Sequence, residues 1–132
     1  MTEKAIPWRL ETHADERGEL VVVEANRGVP FPINRVFWVY NVPEGETRGG
    51  HAHQFCQQLL ICVSGGCRVI AGGNEYDLDE PDKALYIPPG VYLDLEDWQP
   101  GTVLLVLCSH HYEEEDYAYQ VSGLETIAPI AV

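Results

Sequence analysis

The chain has 132 residues, 8 Lys and Arg against 21 Asp and Glu, a formal net charge of −13, and 45% hydrophobic residues. So acidic a balance excludes nucleic acid as a partner, because binding a phosphate backbone needs clustered cations. The apolar runs are far too short to span a bilayer, so no membrane association is expected.

The opening residues, MTEKAIPWRLE, lack the basic-then-apolar order of a secretory signal. Four cysteines without an export signal read as reduced thiols, which predicts a cytoplasmic protein. The length suits one domain over residues 1–132. With only two Lys and six Arg, any site for a small anion must be local and built from arginine, whose planar fork suits phosphate oxygens. Arg17, Arg35 and Arg48 are the candidates.

Turn signals recur at Glu16-Arg17-Gly18, Val29-Pro30, Pro43-Glu44-Gly45, Gly65-Gly66, Gly72-Gly73-Asn74, Pro88-Pro89-Gly90 and Pro100-Gly101. Between them lie short segments rich in β-branched and aromatic residues: LVVVEA, INRVFWVYNV, CQQLLICV, CRVIAG, KALYIP, VYLDLEDW and TVLLVLC. Many short strands joined by such turns predict an all-β sandwich or barrel with little helix. Cys62 and Cys67 bracket VSGG, which reads as a tight hairpin. The acidic run HHYEEED, 110–116, reads as chain leaving the barrel into solvent. The tail SGLETIAPIAV is apolar enough to dock on the domain or on a partner.

The stretch RGGHAH, 48–53, carries the chemistry. Two histidines at i and i+2 in a strand share a face, and continued alternation would add Gln57, Leu59 and Ile61 to it. The pattern from Gly45 through His51 and His53 to Gly65, followed by Pro88-Pro89-Gly90, resembles the cupins, small β-barrels with a jelly-roll fold. A metal-binding cupin offers three His and a carboxylate. Here Gln57 or Gln58 stands in the carboxylate's place and Leu93 in the third histidine's, and neither is a useful ligand for a transition metal. A metal-free site with no cofactor is the expectation.

The ordered set RGEL (17–20), VPFPINRVFWVYNVP (29–43), RGGHAH, QLLICVSGGCRVI (58–70), LYIPPGVY (85–92), VLLVLCS (103–109) and EEDY (114–117) is similar to the dTDP-sugar 3,4-ketoisomerases, the WxcM-like small cupins. That resemblance implies conversion of dTDP-4-keto-6-deoxyglucose to a 3-keto-6-deoxyhexose through an enediol. It implies a dTDP-linked keto-sugar as ligand, no redox cofactor, and a homodimer that exchanges N-terminal strands. His51 takes the part of the proton-transfer base and His53 that of its partner. Arg48 takes the diphosphate contact, Arg35 and Arg17 lie near the sugar or nucleotide, and Trp38 and Tyr86 are candidate walls. Imidazole titrates near neutrality and can take and return a proton within one turnover. Two positions depart from the family pattern, Phe37 where a tyrosine is usual and Leu93 where a histidine or another polar group is. They keep open a related keto-sugar epimerase and a non-catalytic sugar-nucleotide-binding cupin.

Overall fold

The computed structural model describes residues 4–119, so the tail 122–132 lies outside the described residues. The early strands are β1 (Ile6–Arg9), β2 (Glu11–Asp15), β3 (Gly18–Val22), β4 (Glu24–Ala25), β5 (Gly28–Val29), β6 (Arg35–Tyr40) and β7 (Arg48–His53). The later ones are β8 (Gln58–Ser64), β9 (Cys67–Ala71), β10 (Asn74–Leu78), β11 (Lys83–Ile87), β12 (Leu93–Glu96), β13 (Val103–Cys108) and β14 (Tyr117–Ala118). The helical content among the described residues is one 3-10 turn, Glu114–Asp116, so no helix is long and apolar enough to cross a membrane.

Two five-stranded sheets carry the fold, in the orders β1-β11-β8-β13-β6 and β10-β9-β12-β7-β14. They face each other as a cupin jelly roll whose ladders do not close into a ring. Leu60, Cys62, Leu104 and Val106 of the first sheet pack between the layers against Val69, Ala71, Leu93 and Leu95 of the second. The alternate residues of the first sheet, Leu59, Ile61, Ala84 and Leu107, turn outward and are covered by Leu10, Val29 and Phe31 of the N-terminal segment. That double burial explains why VLLVLC and QLLIC read as almost unbroken apolar runs rather than as alternating strands.

Two sequence expectations are corrected here. The turn after Cys62 does not close a hairpin ladder. Strand β8 pairs with β11 and β13, whereas β9 pairs with β10 and β12, so the turn carries the chain from one sheet to the other. The Cys62 and Cys67 sulfurs still meet, 3.6 Å apart, as buried thiols between the layers. The second correction concerns side-chain parity. β7 ends at His53 and β8 starts at Gln58 in the opposite sheet, so the four-residue link resets the alternation. Gln58 and Leu60, not Gln57, Leu59 and Ile61, share a cavity with His51.

Candidate active site

The glycines before the histidines allow strand β7 to lie unusually close to β12. Gly49 adopts φ +89°, and a Cβ there would stand 2.8 Å from the Leu93 carbonyl oxygen, well inside contact distance. In the ladder Leu93 faces His51 and Asp94 faces Gly49, with a bulge between Leu93 and Asp94. The bulge and the two left-handed glycines, Gly49 and Gly50, aim both imidazoles at the interior.

The His51 and His53 rings meet edge to face, 5.0 Å between centroids. The Tyr117 ring packs 5.0 Å from His51 and 4.5 Å from His53. His51 opens onto a cavity of about 80 Å³ lined by Phe37, Gln58, Leu60, Leu93 and Tyr117, with Arg48 beside it. Burial among these apolar walls, helped by the neighbouring His53, pushes the His51 pKa from 6.5 down to about 4. His51 is therefore a neutral imidazole at physiological pH, and its Nδ1 is buried without a hydrogen-bond partner.

His53 is held differently. Its Nδ1 lies 2.5 Å from Asp116 Oδ2, and both residues are 3% exposed. The other carboxylate oxygen of Asp116 accepts from the backbone N–H groups of Phe55 (2.8 Å) and Cys56 (3.2 Å). Burial pushes the Asp116 carboxyl up, but His53 and the two amides outweigh it and hold the pKa below the usual value. An ionised carboxylate can only accept, so the shared proton sits on His53 Nδ1 and leaves Nε2, buried and unpartnered, as the free nitrogen. Strand β14 delivers this partner by pairing Tyr117 with His53 and Ala118 with Ala52.

The acidic run therefore does not simply leave the barrel. His110–Glu115 are exposed as expected, but Asp116, Tyr117 and Ala118 turn back and are buried. Asp116 and Tyr117 are the site residues that sequence reasoning missed. The signal was EEDY, in which one acid followed by an aromatic breaks an otherwise solvated tract.

Arg48 is exposed at the rim of the cavity. It also lines an adjoining groove of about 430 Å³ with Arg35, Phe37, Trp38, Val39 and Tyr40. The Arg35 guanidinium sits 4.8 Å over the Phe37 ring and 5.3 Å over Tyr112. It also hydrogen-bonds Tyr117, whose hydroxyl is kept protonated chiefly by burial. The structure thus brings together His51, His53, Arg48 and Arg35, with the 59%-exposed Trp38 on the groove.

The other two candidates lie elsewhere in the chain. Arg17 is at the tip of the β2–β3 hairpin, paired with Asp15 at 2.6 Å. Tyr86 is on the outer face of the first sheet, against Trp8 and Phe31, and donates to Gln57 Oε1 at 2.7 Å. A larger depression of about 760 Å³ contains neither histidine; it is lined by Arg68 together with Asp77, Asp79 and Asp97.

His53, Cys56 and Asp116 are the residues nearest to a metal-ligand set, their donor atoms lying within 4.8 Å of one another. A proton bridges His53 and Asp116, and both Asp116 oxygens are engaged. As arranged, two of the three already hydrogen-bond each other, and an ion would have to displace that bond.

Comparison with known proteins agrees with this geometry. The family model described as "FdtA: WxcM-like, C-terminal" matches residues 4–127. The TDP-4-oxo-6-deoxy-alpha-D-glucose-3,4-oxoisomerase of Aneurinibacillus thermoaerophilus is 42% identical over 115 residues, 84% of this chain and 83% of that one. The structure of QdtA, a sugar 3,4-ketoisomerase from Thermoanaerobacterium thermosaccharolyticum in complex with TDP, superposes with a TM-score of 0.85 at 34% identity, covering 91% of this chain and 90% of that one. The WlaRB TDP-quinovose 3,4-ketoisomerase of Campylobacter jejuni gives 0.82 at 34% identity, over 88% and 92%. A match spanning almost the whole described chain, with a buried histidine pair at its centre, places the protein in the FdtA, WxcM-like family.

Proposed function

We propose that the protein is a nucleotide-sugar 3,4-ketoisomerase that converts TDP-4-keto-6-deoxyglucose to the 3-keto isomer without a metal or redox cofactor. The observation that carries this reading is His51, a neutral imidazole with an unpartnered Nδ1, set beside His53 in a mostly apolar cavity that has an arginine at its rim. A base that is neutral at working pH can take the C3 proton, which the adjacent C4 carbonyl acidifies. The enediolate that results is negatively charged, and Arg48 and Arg35 are the cations nearest to receive it and the diphosphate. The groove beside the cavity, walled by Trp38 and Phe37, is assigned to the nucleotide. Tyr86 and Arg17 stand outside the cavity of their own chain.

The proposal includes a cytoplasmic homodimer that exchanges N-terminal strands. The β2–β3 hairpin pairs only with itself among the described residues, and its Leu20 is 59% exposed. The edge strand β6 likewise exposes Val36, Trp38 and Tyr40. Such apolar area is what a second copy would cover.

A second reading, a sugar-nucleotide-binding protein without turnover, is favoured by Phe37 and Leu93, which put no hydroxyl or imidazole where relatives of this type have polar groups. Proton NMR of the protein with TDP-4-keto-6-deoxyglucose in D₂O separates the two. The 3-keto isomer with deuterium at C4 is the expected product. Binding without any exchange at C3 would establish the second reading instead.

A further inference from the structure

The two histidines are not equivalent, and the difference lies in a residue 63 positions away in sequence. We propose that Asp116 is a positioning residue that makes His53 the proton donor to C4, leaving His51 to act as the base at C3. The inference rests on the ketoisomerase reading and adds a division of labour to it.

The argument starts from what each ring can do. His51 has no carboxylate bonded to it and lies against Leu60 and Leu93, so burial and the neighbouring His53 outweigh what the Gly49 backbone and the more distant Asp116 offer to a lasting positive charge. It suits transient acceptance of a proton. His53 Nδ1–H is bonded to a buried carboxylate, so a second proton on Nε2 makes an imidazolium whose charge Asp116 offsets at 2.5 Å. The carboxylate cannot swing away, because two backbone amides hold its other oxygen and β14 pins the segment to β7. Where two titratable groups sit in environments that separate their behaviour, one becomes the base and the other the acid.

The steps balance. The C3–H electron pair becomes the C3=C4 double bond as the carbonyl pair of C4 moves to O4, and the proton goes to His51. The hydroxyl proton on O3 passes to O4. The proton held by His51 passes to the free Nε2 of His53, the two ring centroids being 5.0 Å apart, and makes the imidazolium that Asp116 offsets. The C3=O bond then forms while the double-bond pair takes that proton at C4 from His53 Nε2, so both rings end as they began.

Asp116→Asn tests this cleanly. Asparagine keeps an oxygen for the Phe55 and Cys56 amides but presents N–H to His53 Nδ1. That forces the single ring proton onto Nε2 of a neutral imidazole, a far weaker acid. The expected result is a fall in kcat of about 10²–10⁴-fold with KM within about threefold of wild type. In D₂O the variant should still exchange the C3 proton through His51 while failing to move the ketone. Equal loss of exchange and migration with TDP binding intact, or activity within about threefold of wild type, would overturn the assignment.

Nitrogen-15 NMR of the His53 ring gives a readout that needs no sugar. Wild type must carry its proton on Nδ1 and D116N on Nε2. A wild-type ring without that Nδ1 proton overturns the proposal even if D116N does not fold. Wild-type protein that shows the Nδ1 proton but no isomerisation would instead sink the ketoisomerase reading, and the acid role with it.

Discussion

Leu93 lies directly across the β7–β12 ladder from His51, so an apolar side chain is the cross-strand neighbour of the base. That pairing helps strip water from the imidazole and contributes to its low pKa of about 4. The acid limb of kcat/KM is therefore expected well below the ordinary histidine value of 6.5, toward 4. Leu93→Asn, which restores polarity on that wall, should raise the limb by roughly half a unit to one unit. A limb at 6.5 in the wild type would show that His51 is not the group being titrated.

Stability carries the same signature, with a definite sign. His51 binds protons less readily folded than unfolded, so its effect is absent above about pH 6.5 and grows as pH falls from 6.5 toward 4. Stability should decline across that window by at most about 3 kcal/mol, and by less with solvent screening. Asp116 has the depressed carboxylate case: its contribution is present above its usual value of 3.8 and is lost only at more acid pH. Chemical denaturation at pH 7, 5 and 4 should show the first decline in wild type and a flatter profile in His51→Asn.

Close approach at Gly49 predicts a defect in both stability and activity. Alanine there meets the Leu93 carbonyl at 2.8 Å with φ at +89°, so β7 must shift away from β12. Gly73→Ala is the control, since Gly73 has a similar φ of +84° but nothing within 4 Å. Gly73→Ala should cost about 1 kcal/mol in denaturant melts with activity unchanged. Gly49→Ala should cost on the order of 2–3 kcal/mol and lower kcat/KM at least about tenfold. Equal effects at the two glycines would remove the close-approach argument.

Arg48 is exposed and takes no part in the core, so its removal should spare the fold. Calorimetry with TDP should show binding weakened by about 10–100-fold in Arg48→Ala, the range for a charged hydrogen bond to phosphate. Arg27→Ala, equally exposed but on another part of the surface, should bind as wild type does.

The β architecture was legible because turns and β-branched runs mark strands through local chemistry, and the histidine pair was legible because period two fixes a shared face. Three features were not. Cys62–Cys67 looked like a hairpin because turn residues do not say whether the flanking strands pair with each other or with different neighbours. Leu60 is missed, and Gln58 is left as an alternative to Gln57, because alternation carried through the link after His53 ignores that the link's length resets it. Asp116 was read as solvated because its partner is remote in the chain; composition reports the three exposed acids around Glu114 and is silent about the one that turns inward.

The lone bond between His53 and Asp116 also has a temporal meaning. By the time Cys108 has been made, the first sheet is complete and the second lacks only β14. A nascent chain at that point holds both imidazoles but not the carboxylate that orients one of them, so the shell of the enzyme precedes its chemistry. The exposed tract His110–Glu115 is the covalent link between that shell and Asp116, so after a single protease cut there the carboxylate would be kept in place only by its hydrogen bonds and by the pairing of β14 with β7.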